Sequence, residues 1–266
     1  MKNNKQGIPI IPLAVILVIM LAVILLITGV SRNAAASEAV EVGINYLQSL
    51  ENKDPAAVDA VRKEIQQDKL NAQRDALIAQ VTSGEVDVWT MFQDFVILGD
   101  SRAVGFYYFD FLEKSRVLAG GGDTIRNIEL HMDEIVALNP SYIFLCYGLN
   151  DTSIGYWDTK EEYCAEYMQI VDTIQEKLPD ATVIISSILP ARDPAFQRSK
   201  KWYNIPEWSA AVEAACKEHG VIFVNNDAIC QTYANLWQTD GIHVRPEFYP
   251  YWASNLITAM LMGDSD

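Results

Sequence analysis

From about residue 93 onward, short apolar runs alternate with longer amphipathic stretches. The runs FVILG (95–99), RVLA (116–119), YIFLCY (142–147), TVIISS (182–187) and VIFVN (221–225) each have an uninterrupted apolar centre, as expected of strands covered on both faces. Between them the spacing predicts helices near 102–114, 125–138, 159–178 and 206–219, with a last one near 246–262. Strand and helix in alternation predict a parallel sheet between two helical layers, a three-layer α/β/α domain over residues 93–266.

Residues 37–92 are patterned differently. They are polar and rich in Ala and Gln, with Val58, Val61, Ile65, Leu70, Leu77 and Ile78 at roughly helical intervals. Two helices are predicted, with Asp54 as an N-cap and Pro55 at the first helical position. They form either a stalk or a helical pair packed on the domain. The absence of clustered chemistry makes the stalk the default.

Residues 8–30 contain no charged side chain. Crossing a hydrocarbon core takes about 20 apolar residues as helix. Signal-peptide cores are shorter, about 7–15 residues. Residues 1–36 are therefore predicted to be a cytoplasmic tip and a retained transmembrane anchor. NAAAS at 33–37 also carries an Ala-x-Ala cleavage pattern, and a cut after Ala36 would release a secreted form. Lys2 and Lys5 precede the span and few basic residues follow it, which places the remainder of the chain outside the cell.

A formal charge of −15 argues against nucleic acid as a partner, because phosphate backbones need clustered Lys and Arg. Cys146, Cys164, Cys216 and Cys230 show no CxxC spacing, so neither a zinc site nor a redox motif is expected. Cys146 lies inside an apolar run and is read as a small buried thiol. A Cys216–Cys230 bridge has no support beyond the compartment.

Candidate chemistry sits at the strand ends, where open α/β sheets keep their sites. The first run stops abruptly at Gly99-Asp100-Ser101, either a simple turn or a hydroxyl presented to solvent. Serine chemistry needs a base, and the chain holds three histidines. His131 lies within a helical segment and His219 in a last helical turn before Gly220. Only His243 falls in a loop, three residues after Asp240, close enough for one turn to join carboxylate and imidazole. Gly120–Gly122 follow the second run and would let backbone approach a ligand, or form a flexible loop. Asn150 follows the third and reads equally as an amide donor or a helix N-cap. Asn150-Asp151-Thr152 also matches a glycosylation sequon, read here as incidental.

Taken in order, Gly-Asp-Ser, Gly-Asp-Thr, Gly-Leu-Asn-Asp and Asp-x-x-His resemble the blocks of the SGNH (GDSL-type) hydrolase family over roughly residues 93–264. The resemblance implies a serine esterase with Ser101 as nucleophile, His243 as general base and acid, and Asp240 orienting the imidazole. It also implies an oxyanion hole made by the Ser101 and Gly122 backbone N–H groups and the Asn150 side chain. No cofactor and no metal are implied. Two features depart from familiar patterns. Arg102 stands where the family name has Leu and is expected to alter the charge of the pocket. Residues 99–103 lack Gly-x-Ser-x-Gly, which argues against an α/β-hydrolase elbow.

The blocks leave the substrate open. Loops beside the site are aromatic, with Tyr156 and Trp157 after the third strand, Trp202, Tyr203 and Trp208 after the fourth, and Trp237 before Asp240. Of these Tyr156, Trp157 and Trp237, with Arg102, are the candidate substrate contacts, against packing of these rings onto the domain. The expectation is removal of a short acyl group, acetyl first, from a carbohydrate or cell-wall polymer. A cell-wall O-acyltransferase, a lipid esterase and a non-enzymatic glycan-binding module are the alternatives.

Overall fold

A computed structural model describes residues 55–263. The apolar run at 8–30, the Ala36 pattern, Asp54 and the first of the two expected helices in 37–92 lie outside the described residues. Among the described residues no helix is long and apolar enough to cross a membrane.

The elements are α1 (Pro55–Ser83), β1 (Phe95–Gly99), α2 (Gly105–Tyr108), β2 (Val117–Ala119), α3 (Met132–Leu138), β3 (Tyr142–Cys146) and α4 (Leu149–Ile154). They continue with α5 (Lys160–Lys177), β4 (Thr182–Ser186), α6 (Ile205–His219), β5 (Ile222–Val224), α7 (Asp227–Thr232) and α8 (Tyr249–Gly263). All five expected strands form, each within a residue or two of its apolar run. They pair in parallel in the order β2-β1-β3-β4-β5.

Alternation along each strand sends its side chains into two separate cores. Ile97, Phe144 and Ile184 pack with Trp252, Leu256 and Ile257 of α8. Val96, Leu98, Ile143, Leu145 and Val183 pack instead with Ile135 of α3, Tyr167 and Val171 of α5, and Val212 of α6. The sheet is thus buried on both faces, which is why its strands read as unbroken apolar runs.

Two sequence expectations need correction. The helix expected over 102–114 shrinks to the four residues of α2, and the chain turns out of it where Asp110 adopts φ 58°. Phe106, Phe109 and Phe111 leave that segment to pack on Tyr249, so tertiary contacts override its local helical spacing. The first half of the helix expected at 125–138 is a tighter 3-10 helix, Ile125–His131. Just before β1, Leu77, Val88 and Phe92 are buried in the α8-side core. The compact unit that carries the sheet accordingly starts at Gln67, well ahead of residue 93.

Strand order fixes where a site can form. From β1 the chain moves one way to β2, then crosses back over β1 to β3 and continues outward. Connections leaving β1 and β3 therefore diverge, opening a crevice at their C-terminal ends. Ser101 follows β1, Gly120–Gly122 follow β2, and Asn150 follows β3, so all three expected blocks reach this crevice.

Candidate active site

Asp100 and Ser101 form the turn at the end of β1. The Asp100 amide N–H donates to the Cys146 carbonyl at the end of β3 (3.3 Å). The Asp100 carboxylate accepts the Arg102 backbone N–H (2.9 Å), closing an Asx turn beneath Ser101. It also accepts the Arg102 guanidinium through two bonds, Nε to Oδ1 (3.1 Å) and Nη2 to Oδ2 (2.8 Å). Both side chains are buried, Asp100 completely and Arg102 to 3 % exposure. Arg102 Nη1 donates to the Leu189 carbonyl (2.6 Å), and its own carbonyl accepts the Tyr249 hydroxyl (2.8 Å). Its guanidinium thus points under the turn and does not contribute charge to the crevice, contrary to its expected role as a substrate contact. A carboxylate buried at Asp100 would be strongly destabilising without this partner.

His243 and Asp240 lie on a compact loop closed by an antiparallel bridge between Trp237 and Val244. Asp240 Oδ1 accepts the backbone N–H groups of Ile242 (2.9 Å) and His243 (3.0 Å), while Oδ2 meets His243 Nδ1 at 2.6 Å. His243 Nε2 lies 3.0 Å from Ser101 Oγ, across 142 residues of sequence. A carboxylate can only accept, so the imidazole proton sits on Nδ1 and the Nε2 lone pair faces the serine hydroxyl. Burial alone would raise the Asp240 carboxyl. The bonds from the His243 ring and the Ile242 and His243 amides outweigh it and hold the group below the usual carboxylate value.

Residues 189–192 connect the two loops. Leu189 receives Arg102, the Pro190 carbonyl receives Trp237 Nε1 (3.1 Å), and the Arg192 amide donates to the Gly241 carbonyl (2.8 Å). Gly241 adopts φ +70°, and a Cβ there would lie 2.1 Å from the Arg192 carbonyl oxygen. Only glycine allows the loop to seat this closely. One short segment therefore braces both the serine turn and the histidine loop.

The second and third blocks are joined by Asp151. Its Oδ1 accepts the Ile125 amide and its Oδ2 the Gly148 amide, each at 2.9 Å. Burial raises this carboxyl to about 7, and the amide bonds pull the other way only in part. Asn150 Nδ2 donates to the Asp123 carbonyl (2.8 Å), which leaves its second amide hydrogen free of that bond. Gly122, beside Asp123, takes φ +88° with open space where a Cβ would stand. The Asn150 amide is thus engaged and Asp151 and Thr152 are buried, a poor setting for a glycan at the sequon.

Of the aromatic loop residues, Tyr156 is exposed at 52 % and Tyr203, stacked on Phe196, at 61 %. Trp157 is buried against Tyr163 and donates to Glu166 (2.6 Å). Trp237 is buried too, with the Arg192 guanidinium over its ring and Phe248 at its edge. Both rings pack the loops onto the domain, and Trp157 still lines the groove along α5. No disulfide forms: Cys216 and Cys230 lie in cores on opposite sides of the sheet, and all four thiols are free and buried. Among the described residues no cluster suited to a metal occurs. Sequence reasoning passed over Asp151 and the 189–192 brace. Asp151 was visible as the last residue of Gly-Leu-Asn-Asp, whereas Leu-Pro-Ala-Arg carries no chemical signal of its own.

The model of the GDSL-like lipase/acylhydrolase family matches residues 97–249, from within β1 to the start of α8. A GDSL-like lipase from Bacteroides thetaiotaomicron superposes with a TM-score of 0.53 at 18 % identity, over 70 % of this chain and 98 % of that one. The lipase/acylhydrolase from Enterococcus faecalis gives 0.51 at 16 % identity, over 62 % and 94 %. At these identities the superpositions establish the fold. No curated protein sequence matches the chain. The family match takes in Ser101, Gly122, Asn150, Asp240 and His243 together, and with the parallel sheet it establishes that this chain belongs to the GDSL-like lipase/acylhydrolase (SGNH) family of carboxylic ester hydrolases.

Proposed function

We propose that the protein is a serine esterase that removes short acyl groups, acetyl foremost, from a carbohydrate, through an acyl-enzyme on Ser101. The observation that carries this reading is the relay from Asp240 Oδ2 to His243 Nδ1 at 2.6 Å and from Nε2 to Ser101 Oγ at 3.0 Å. Ser101 Oγ attacks the ester carbonyl while His243 Nε2 takes its proton. Asp240 stabilises the imidazolium and keeps the ring in its productive tautomer. Negative charge on the carbonyl oxygen is received by the backbone N–H groups of Ser101 and Gly122 and by the second amide hydrogen of Asn150. His243 then returns the proton to the departing alcohol, and water, activated by the same imidazole, discharges the acyl group.

The preference for a carbohydrate rests on the surroundings of the crevice. The groove beside Gly122 is open to solvent and sets Asn127 among the exposed side chains of Tyr156, Leu130 and Ile154, where a long acyl chain would want an enclosed apolar tunnel. With residues 1–36 read as an anchor, the site would work outside the membrane on surface or environmental glycans. Purified protein and its Ser101→Ala variant, assayed on p-nitrophenyl esters of increasing chain length and on acetylated xylan, test both parts. Serine-dependent release that is strongest for acetyl is expected. Activity surviving the substitution would overturn the mechanism, and a preference for long chains would overturn the substrate.

A further inference from the structure

Two open grooves meet at Arg126 and Tyr156. The nearer, of about 470 Å³, starts at Gly122 and runs past Thr124 and Asn127 to Ile154. The farther, of about 650 Å³, continues along α5 beside Glu162, Gln169 and Thr173. From residue 162 to residue 173 a helix advances about 16 Å, room for more than one sugar ring.

The ridge between the grooves is tied together through Arg126. The Arg126 guanidinium lies 5.0 Å from the Tyr156 ring centre and 4.9 Å from that of Trp157. Its Nη2 donates to Glu166 Oε2 (2.7 Å) and its Nε to Oε1, while the same carboxylate accepts Trp157 Nε1 (2.6 Å). Tyr156 is thus backed by a cation–π contact, yet half of its surface faces water. The ion pair with Glu166 leaves Arg126 without a spare charge to recruit an anion. Glu129 and Glu162 on the flanks would repel one. Leu130 and Ile154 give the nearer groove an apolar side, but a fatty chain would meet carboxylates, an amide and a hydroxyl along the farther one. A neutral, hydroxylated chain fits all of them, because sugar rings stack on aromatic faces and their hydroxyls pair with such side chains.

We propose that the two grooves form one extended site for a neutral oligosaccharide, with Tyr156 as the stacking platform and Arg126 and Glu166 as the residues that position it. This rests on the carbohydrate-esterase reading of Ser101 and adds that the enzyme recognises several sugar units beyond the acylated one.

The test uses the Ser101→Ala protein for binding and the wild type for turnover. Titration of Ser101→Ala with unacetylated xylohexaose and with the hexamer of N-acetylglucosamine, followed by intrinsic tryptophan fluorescence and calorimetry, should show binding of at least one. A further Tyr156→Ala substitution should weaken it about tenfold. In turnover, kcat/KM on acetylated xylo-oligosaccharides, divided by that on p-nitrophenyl acetate, should rise with chain length from dimer to hexamer. Tyr156→Ala should flatten that rise, and Gln169→Ala should depress it only for the longer oligomers. Binding of neither hexamer, or a length dependence indifferent to Tyr156→Ala, would overturn the extended site. Serine-dependent cleavage of p-nitrophenyl acetate with no cleavage of any acetylated sugar would instead overturn the carbohydrate reading, and the extended site with it.

Discussion

Replacing Arg102 with methionine tests how the serine turn is held. Methionine matches much of the arginine stem but removes the two guanidinium bonds to Asp100 and the bond to the Leu189 carbonyl. Asp100, fully buried, would keep only the Arg102 backbone N–H as a partner from that pair. Leaving one member of a buried ion pair alone costs about 3–5 kcal/mol. For a domain of this size each kcal/mol lowers Tm by roughly 2–4 °C, so a fall on the order of 10 °C is expected. The catalytic effect is separate. Leu189 belongs to the segment that also seats Gly241 and Trp237, so losing the tie loosens Ser101 relative to His243. Misplacement of about 1 Å can cost about 10²-fold in rate, and the loss should fall on kcat. Thermal unfolding by circular dichroism and p-nitrophenyl acetate kinetics, run on the same preparations, measure both. Adding Asp100→Asn to Arg102→Met should recover part of the stability by removing the orphaned charge. An Arg102→Met protein with a Tm within 2 °C of wild type and an unchanged kcat would refute the reasoning, as would a double variant less stable than Arg102→Met.

Asn150→Ala should lower kcat by about 10²–10³-fold with little change in KM, the signature of a donor used mainly in the transition state, as read by steady-state kinetics. Asp151 predicts a pH effect on stability. Its carboxyl is raised from 3.8 to about 7 in the fold, so its stabilising contribution is complete below pH 3.8 and is lost as pH rises through 7. The Tm of wild type relative to Asp151→Asn should therefore fall between pH 4 and pH 8, by an amount worth on the order of 4 kcal/mol. A flat difference in melting profiles across that range would contradict it. Burial pushes the thiols of Cys146, Cys216 and Cys230 up to about 12 and that of Cys164 to about 11. Ellman's reagent should accordingly find almost no reactive thiol in native protein and four in guanidinium chloride without reductant.

Much of this protein is written locally. Five apolar runs became five strands because a strand buried on both faces must be apolar throughout, and that requirement shows residue by residue. Asp240 and His243 were legible as a pair because one turn of chain brings them together. The order of the blocks was enough to recognise the family, since each follows a strand and parallel strands carry their ends to one edge.

Contacts between distant segments were not legible. Whether Arg102 faced the crevice or the interior depended on Leu189, 87 residues away, and on an unfilled carboxylate beneath Ser101. Trp157 and Trp237 looked like Tyr156 in sequence, yet packing against Tyr163 and Phe248 buried two of the three rings and left the third exposed. The four cysteines gave no sign of which face of the sheet each would occupy. Residues 77–92 joined the core only because α8 offers an apolar face to receive them. Periodicity reports which positions avoid water, and strand ends report where chemistry can stand. Which side chain fills which space is decided when the layers close, because that depends on partners brought together only by the fold.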